Sequence, residues 1–152
     1  MTETEKAFVA LAAALNASSA LPAVRRDVVF EDVLDDLSSG GDSFGAALTL
    51  AHGEAVETVR RIGEGPNAFE LTRVADVEWI AAGDPADALQ TFFDAGVEAV
   101  FAAIEADPTL GANVVRAEIV EQPEISREAA GGRAALIARI RVQMLFTSPR
   151  AY

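Results

Sequence analysis

Residues 134–148 read AALIARIRVQMLFTS, and their alternation decides the fold. Leu136, Ala138, Ile140, Val142, Met144 and Phe146 take every second position, with Arg139, Arg141 and Gln143 between them. Successive side chains of a strand point to opposite faces, so this stretch predicts one apolar and one polar face. Such a strand belongs to an antiparallel sheet covered on one side. Upstream, Val115, Ala117 and Ile119 alternate with Arg116, Glu118 and Glu121 in the same way. Between the two lies PEISREAAGGR, residues 123–133, expected to be a long polar loop in a hairpin running from Val114 to Phe146.

The element before this hairpin is a helix. Asp84 is expected as its N-cap, Pro85 at its first position and Asp87 in its first turn. Leu89, Phe92, Phe93, Val97, Val100, Phe101 and Ile104 then form a wide apolar face, ending near Asp107-Pro108. Laid across a sheet, each buried Phe or Leu of that face contributes roughly 1.5–3 kcal/mol. Residues 68–81, AFELTRVADVEWIA, predict a longer strand carrying the only tryptophan, Trp79. Before it, Ala46, Leu48 and Leu50 alternate in a strand that starts at Phe44. His52-Gly53-Glu54 reads as a turn, Ala55–Ile62 as the returning strand and Gly63–Asn67 as a second turn.

At the N-terminus a helix is expected from Glu3 to Ala17. Thr2 and Glu5 have the capping-box spacing, and Phe8, Leu11, Ala12 and Leu15 share one stripe. Pro22 then opens an extended piece over Ala23–Asp27. Val28, Val29 and Phe30 are expected to anchor a loop or a short turn, and residues 31–43 read as an exposed excursion, acidic and then flexible, gripped only by Val33, Leu34 and Leu37. The whole is one domain over residues 1–152, of α+β class: a mainly antiparallel sheet covered on one face by two helices.

Composition narrows the function. A net charge of −12 argues against a phosphate-binding surface, which needs clustered Lys and Arg, and against docking on anionic membranes. Without cysteine there is no disulfide framework and no thiolate metal site. Glu3 and Glu5 accompany the single Lys6 where a secretory leader would be basic, and the expectation is a soluble chain made in the cytoplasm.

Chemistry is sparse. His52 is the only histidine and lacks the partners a catalytic or metal role requires; it is expected to be an exposed turn residue. Ser43, Ser126 and Ser148 have no other histidine to activate them, and no nucleophile elbow is present. The glycines of residues 38–42 and 63–65 match neither a P-loop nor a dinucleotide fingerprint. No catalytic, metal-binding or cofactor-binding residue is therefore assigned. Glu31, Asp32, Asp35 and Asp36 lack the spacing of a calcium loop and read as a solvated charge run or an acidic partner surface. Arg139 and Arg141 are either solvated surface, paired across the hairpin with Glu118, or subunit contacts. Arg127 and Arg133 stand in the 125–133 loop, to be ordered by a neighbour or left mobile.

The segment from Asp84 to Thr147 resembles the C-terminal half of phage tail terminator proteins, the tail completion or minor tail protein U-like family. The resemblance runs through the amphipathic helix, the Leu110-Gly111 turn, the alternating strand after it, a charged loop and a last strand ending in Phe146-Thr147. The N-terminal helix and the Pro-led, basic segment Pro22–Arg26 fit as well. The resemblance implies a structural virion protein that needs no cofactor. It would form a hexameric ring that caps the tail tube at its head-proximal end, stops tube polymerisation and joins the head connector. DNA would pass through the lumen without specific binding. The particle would be a phage or a gene transfer agent, with the protein in its tail-neck region. Arg116, Glu118, Arg127, Arg133, Arg139 and Arg141 are then the expected subunit interface, and Glu31, Asp32, Asp35 and Asp36 an acidic lumen or partner surface. Competing expectations are another neck or tail component, such as a connector or tube subunit, and a small-molecule-binding or enzymatic α+β domain.

Overall fold

The computed structural model describes residues 1–38, 44–53, 58–130 and 132–152. Its elements are α1 (Glu3–Asn16), β1 (Val24–Arg26), α2 (Phe30–Ser38), β2 (Gly45–His52), β3 (Thr58–Arg61), β4 (Phe69–Ala82), α3 (Ala86–Ala106), β5 (Arg116–Ile119), β6 (Glu124–Ala130) and β7 (Arg133–Ser148). The class is α+β, as the alternation predicts. One seven-stranded sheet runs in the order β1-β2-β4-β7-β5, with β3 also on β4 and β6 also on β7. Every pairing is antiparallel except β1 with β2.

The centre is the pair β4–β7, in register from Phe69↔Ser148 to Ala82↔Ala135. Direct partners share a face, so Val77 and Trp79 of β4 join Ile140 and Ala138 of β7 on one side. That side is the main core. It is sealed by Phe8, Leu11 and Leu15 of α1 and by Leu89, Phe93, Val100 and Ile104 of α3, all essentially buried. Thr2 caps α1 by accepting from the Glu5 N–H at 3.1 Å. Trp79 is the largest buried side chain, and its Nε1–H donates to the Phe93 carbonyl at 3.0 Å. Gly96 of α3 lies directly over the indole, where any Cβ would collide with it. The close fit of helix on sheet thus depends on that one absent methyl.

Several expectations need correction. Residues 30–38 are a helix, not an excursion: Phe30, Val33, Leu34 and Leu37 recur at helical spacing. They pack on the opposite face of the sheet against Ala47, Ile80, Ala82, Ala135 and Ile137, forming a second small core. The sheet is therefore covered by two helices on one face and partly by a third on the other. Residues 39–43, the flexible end of the expected excursion and the site of Ser43, lie outside the described residues, as do Glu54–Glu57.

β3 does not return along β2. Both pair antiparallel with β4, β2 against Ala75–Ala82 and β3 against Phe69–Thr72, so they follow one edge in line. The expected loop at 123–133 is also a strand over most of its length. β6 pairs residue for residue with β7 from Glu124↔Arg139 to Ala130↔Arg133. Finally, the N-cap of α3 is Pro85 rather than Asp84, with no side-chain cap; the Asp87 carboxylate accepts from the Ala88 N–H at 2.9 Å.

Candidate functional site

The face of the sheet opposite α1 and α3 is open below α2, and it gathers most of the ion pairs among the described residues. Register places them. On β4, Asp76 and Glu78 alternate with the core residues Val77 and Trp79; directly across stand Arg141 and Arg139 of β7. Arg139 holds Glu78 at 3.2 Å and reaches Glu124 at 3.9 Å. Arg141 holds Glu121 at 3.0 Å, Asp76 at 3.5 Å and Glu124 at 3.8 Å. The Glu121 hydrogen bond, with Asp76 and Glu124 adding their charge, pushes the Arg141 pKa up against the opposing effect of burial. The two arginines thus tie three strands together. Their carboxylates are Asp76 and Glu78 of β4, Glu121 of the β5–β6 connection and Glu124 of β6, not Glu118, which instead pairs with Arg116 on its own strand at 3.2 Å.

The other expected site residues separate. Arg133 is turned into the fold: its guanidinium donates to the carbonyls of Leu37 at 3.1 Å and Ala82 at 3.4 Å. A cation at the end of α2 also complements the helix dipole there. Arg127 is exposed and pairs in register with Leu136, which puts it on the helix-covered side of β6, away from Arg139. Glu31, Asp32, Asp35 and Asp36 are all exposed on α2. Arg25 of β1 bonds Asp36 at 2.9 Å and ties the helix to the sheet edge. The helix that carries the four carboxylates packs on the open side of the sheet. Phe30, Glu78, Glu124, Ile137 and Arg139 line a groove of about 460 Å³ between α2 and β6.

His52 ends β2 in partnership with Ala75, and its ring stacks on Phe8 at 4.0 Å. It is exposed, as expected, but it is a strand residue on the helix-covered side, separated by the sheet from the carboxylates of the open face. Ser148 is buried at the end of β7, accepting from the Arg150 N–H at 3.2 Å. Among the described residues no group of three or more His, Asp or Glu is placed to hold a metal ion, and no helix is long and apolar enough to cross a membrane.

Glu121, Glu124 and Glu128 join this surface unexpectedly, as do Asp76 and Glu78 of β4. The pattern that could have found Asp76 and Glu78 is the match of Asp-x-Glu at 76–78 with Arg-x-Arg at 139–141, opposite charges at strand spacing on two long strands. No protein-family model and no curated protein matches this chain.

Proposed function

We propose that this chain is a ring-forming tail terminator. It caps the tail tube at the head-proximal end, stops tube polymerisation and joins the head connector in the neck of a phage or gene transfer agent. The observation that carries this reading is the division of the sheet into a sealed face and an open one bearing carboxylates. The helix of Glu31, Asp32, Asp35 and Asp36 packs on the same side as Asp76, Glu78, Glu124 and Glu128 of the strands. With that side turned inward, a ring presents an acidic wall to its lumen. Like charge keeps DNA from adhering as it passes. The sealed face, with α1 and α3, forms the outside.

The succession of elements supports the same reading. A helix comes first, and a Pro-led basic strand follows as one edge of the sheet. α3 then runs into Leu110-Gly111, both left-handed at φ 48° and 65°, with Leu110 buried as the anchor of the turn. β5 and the charged β6–β7 hairpin follow. Mass photometry of the purified chain tests the proposal. The expected result is one species at six times the 15.9 kDa chain mass. Open-ended growth would indicate a tube subunit instead, and a monomer at all concentrations would overturn the ring.

A further inference from the structure

We infer that β6 is a docking edge: it takes an extended segment of a partner protein as an additional antiparallel strand, one that carries basic side chains toward the groove beside α2. The site lies within a single copy, so the inference stands apart from the ring-forming reading. β6 pairs with β7 alone, in unbroken register from Glu124 to Ala130. It contains neither a proline nor a bulge, and Glu124–Ala129 are all exposed. Folded proteins commonly blunt such an edge, because it is a template for a further strand.

Backbone phase fixes which groups face outward. The Gly83 N–H donates to the Ala134 carbonyl at 3.0 Å and continues the β4–β7 ladder, so the even-numbered residues of β7 bond β4. The odd-numbered ones bond the other side, as Leu145 does in accepting from the Val115 N–H at 2.7 Å. Glu124, Ser126 and Glu128 partner Arg139, Ile137 and Ala135, so their backbone groups point inward to β7. Ile125, Arg127 and Ala129 turn N–H and C=O outward, where no other backbone group among the described residues bonds them.

The side chains say what fits. On the open side Glu124, Ser126 and Glu128 stand in a row along the groove beside α2, next to Ile137. That groove holds Glu78, Glu124 and Glu128 against one guanidinium, Arg139. Arg139 is engaged by Glu78 at 3.2 Å, whereas Glu124 has Arg139 and Arg141 only at 3.9 and 3.8 Å. Glu128 has no ion-pair partner among the described residues. An added strand therefore meets carboxylates at two alternate positions of its open side, opposite Glu128 and Glu124, with Ser126 between them. On the covered side it meets Ile125, 60% exposed, and Arg127, which favour an apolar and an acidic neighbour. Read along the partner, the pattern is basic, acidic, polar, apolar, basic. A second β6 does not fit: two-fold pairing centred on Arg127, Ser126 or Glu128 sets Arg127 on Arg127, Glu124 on Glu128, or Glu128 on itself.

NMR titration of the isotope-labelled chain with the synthetic peptide Thr-Val-Lys-Glu-Thr-Val-Lys, whose lysines fall opposite Glu128 and Glu124, tests the inference. The expected result is saturable binding with the largest amide shifts at Ile125, Arg127 and Ala129. The charge-inverted peptide Thr-Val-Glu-Lys-Thr-Val-Glu should bind about tenfold more weakly, because three cross-strand pairs turn from attractive to repulsive. Glu128→Lys should weaken the lysine peptide by about fivefold. Ala129→Pro removes an outward N–H that β7 does not use, so the chain should stay folded by circular dichroism and lose the peptide. No binding at millimolar peptide, equal binding of the two peptides, or binding that survives Ala129→Pro would overturn the docking edge. A dimer that Ala129→Pro dissolves would overturn it too, by giving the edge to a second copy. A wild-type chain that binds the peptide as a monomer would sink the ring and support the edge.

Discussion

On β7, Ala138, Ile140, Val142 and Met144 face α1 and α3 and are fully buried, whereas Arg139, Arg141 and Gln143 between them face the open side and are half-buried. The same backbone therefore serves two kinds of stabilisation. The covered face gains from removing apolar surface from water, a term that is large and insensitive to salt. The open face is held by ion pairs that remain near solvent, where each contributes little on its own and salt screens it. The first face makes the fold. The second leaves a charged surface free to act on something outside the chain.

The covered face depends most on Trp79. Trp79→Ala empties the space under Gly96 and removes the donor to the Phe93 carbonyl, and should cost about 3–5 kcal/mol in urea unfolding followed by circular dichroism. A loss no greater than that of a surface substitution would mean that the covered face is not the main support. On the open face, Arg141→Met keeps much of the stem volume and removes the charge that holds Asp76, Glu121 and Glu124. The melting temperature should fall by less than for Trp79→Ala, and the gap to wild type should narrow as salt is raised. A gap independent of salt would show that packing of the stem, not pairing, is what Arg141 supplies.

The smallest effect sharpens the contrast within the covered side itself. Arg26 bonds Glu5 at 2.7 Å and holds its carboxyl below the usual glutamate range, burial opposing, with the charges of Arg26 and His52 helping. A depressed folded pKa stabilises above the unfolded value, and that stabilisation is lost as pH falls through the folded one. Thermal melts of wild type and Glu5→Gln should therefore differ slightly at neutral pH and converge below the ordinary glutamate range. A gap that widens on acidification would reverse the assigned sign.

What the sequence discloses follows the same division. Where burial writes the pattern, it is readable: α1, α3 and the alternation of β4, β5 and β7 all come from residues packed into one core. β6 was unreadable because it is an exposed edge whose strand character comes from pairing with β7, and pairing leaves no hydrophobic mark on EISREAA. α2 carried its signal in Phe30, Val33, Leu34 and Leu37, but the helix is short and its acidic residues resemble those of a loop. β3 looked like a returning strand because strand pattern is silent about partners, and it lies in line with β2 instead of against it. The candidate surface was half legible. Arg139 and Arg141 stand out from their own strand, while Asp76 and Glu78 emerge only once β4 and β7 are set in register.

The proposed function has copies of this chain closing into a ring with the carboxylate-bearing open face turned inward. Class averages of the purified protein in negative stain test it most directly, with gold-labelled cysteine introduced in place of Asp35 on α2 and, separately, Glu98 on α3. The expected result is a six-fold ring with a central hole, label inside the hole for the α2 site and on the outer rim for the α3 site. Single particles without a hole, or label on the rim for α2 and in the hole for α3, would contradict it.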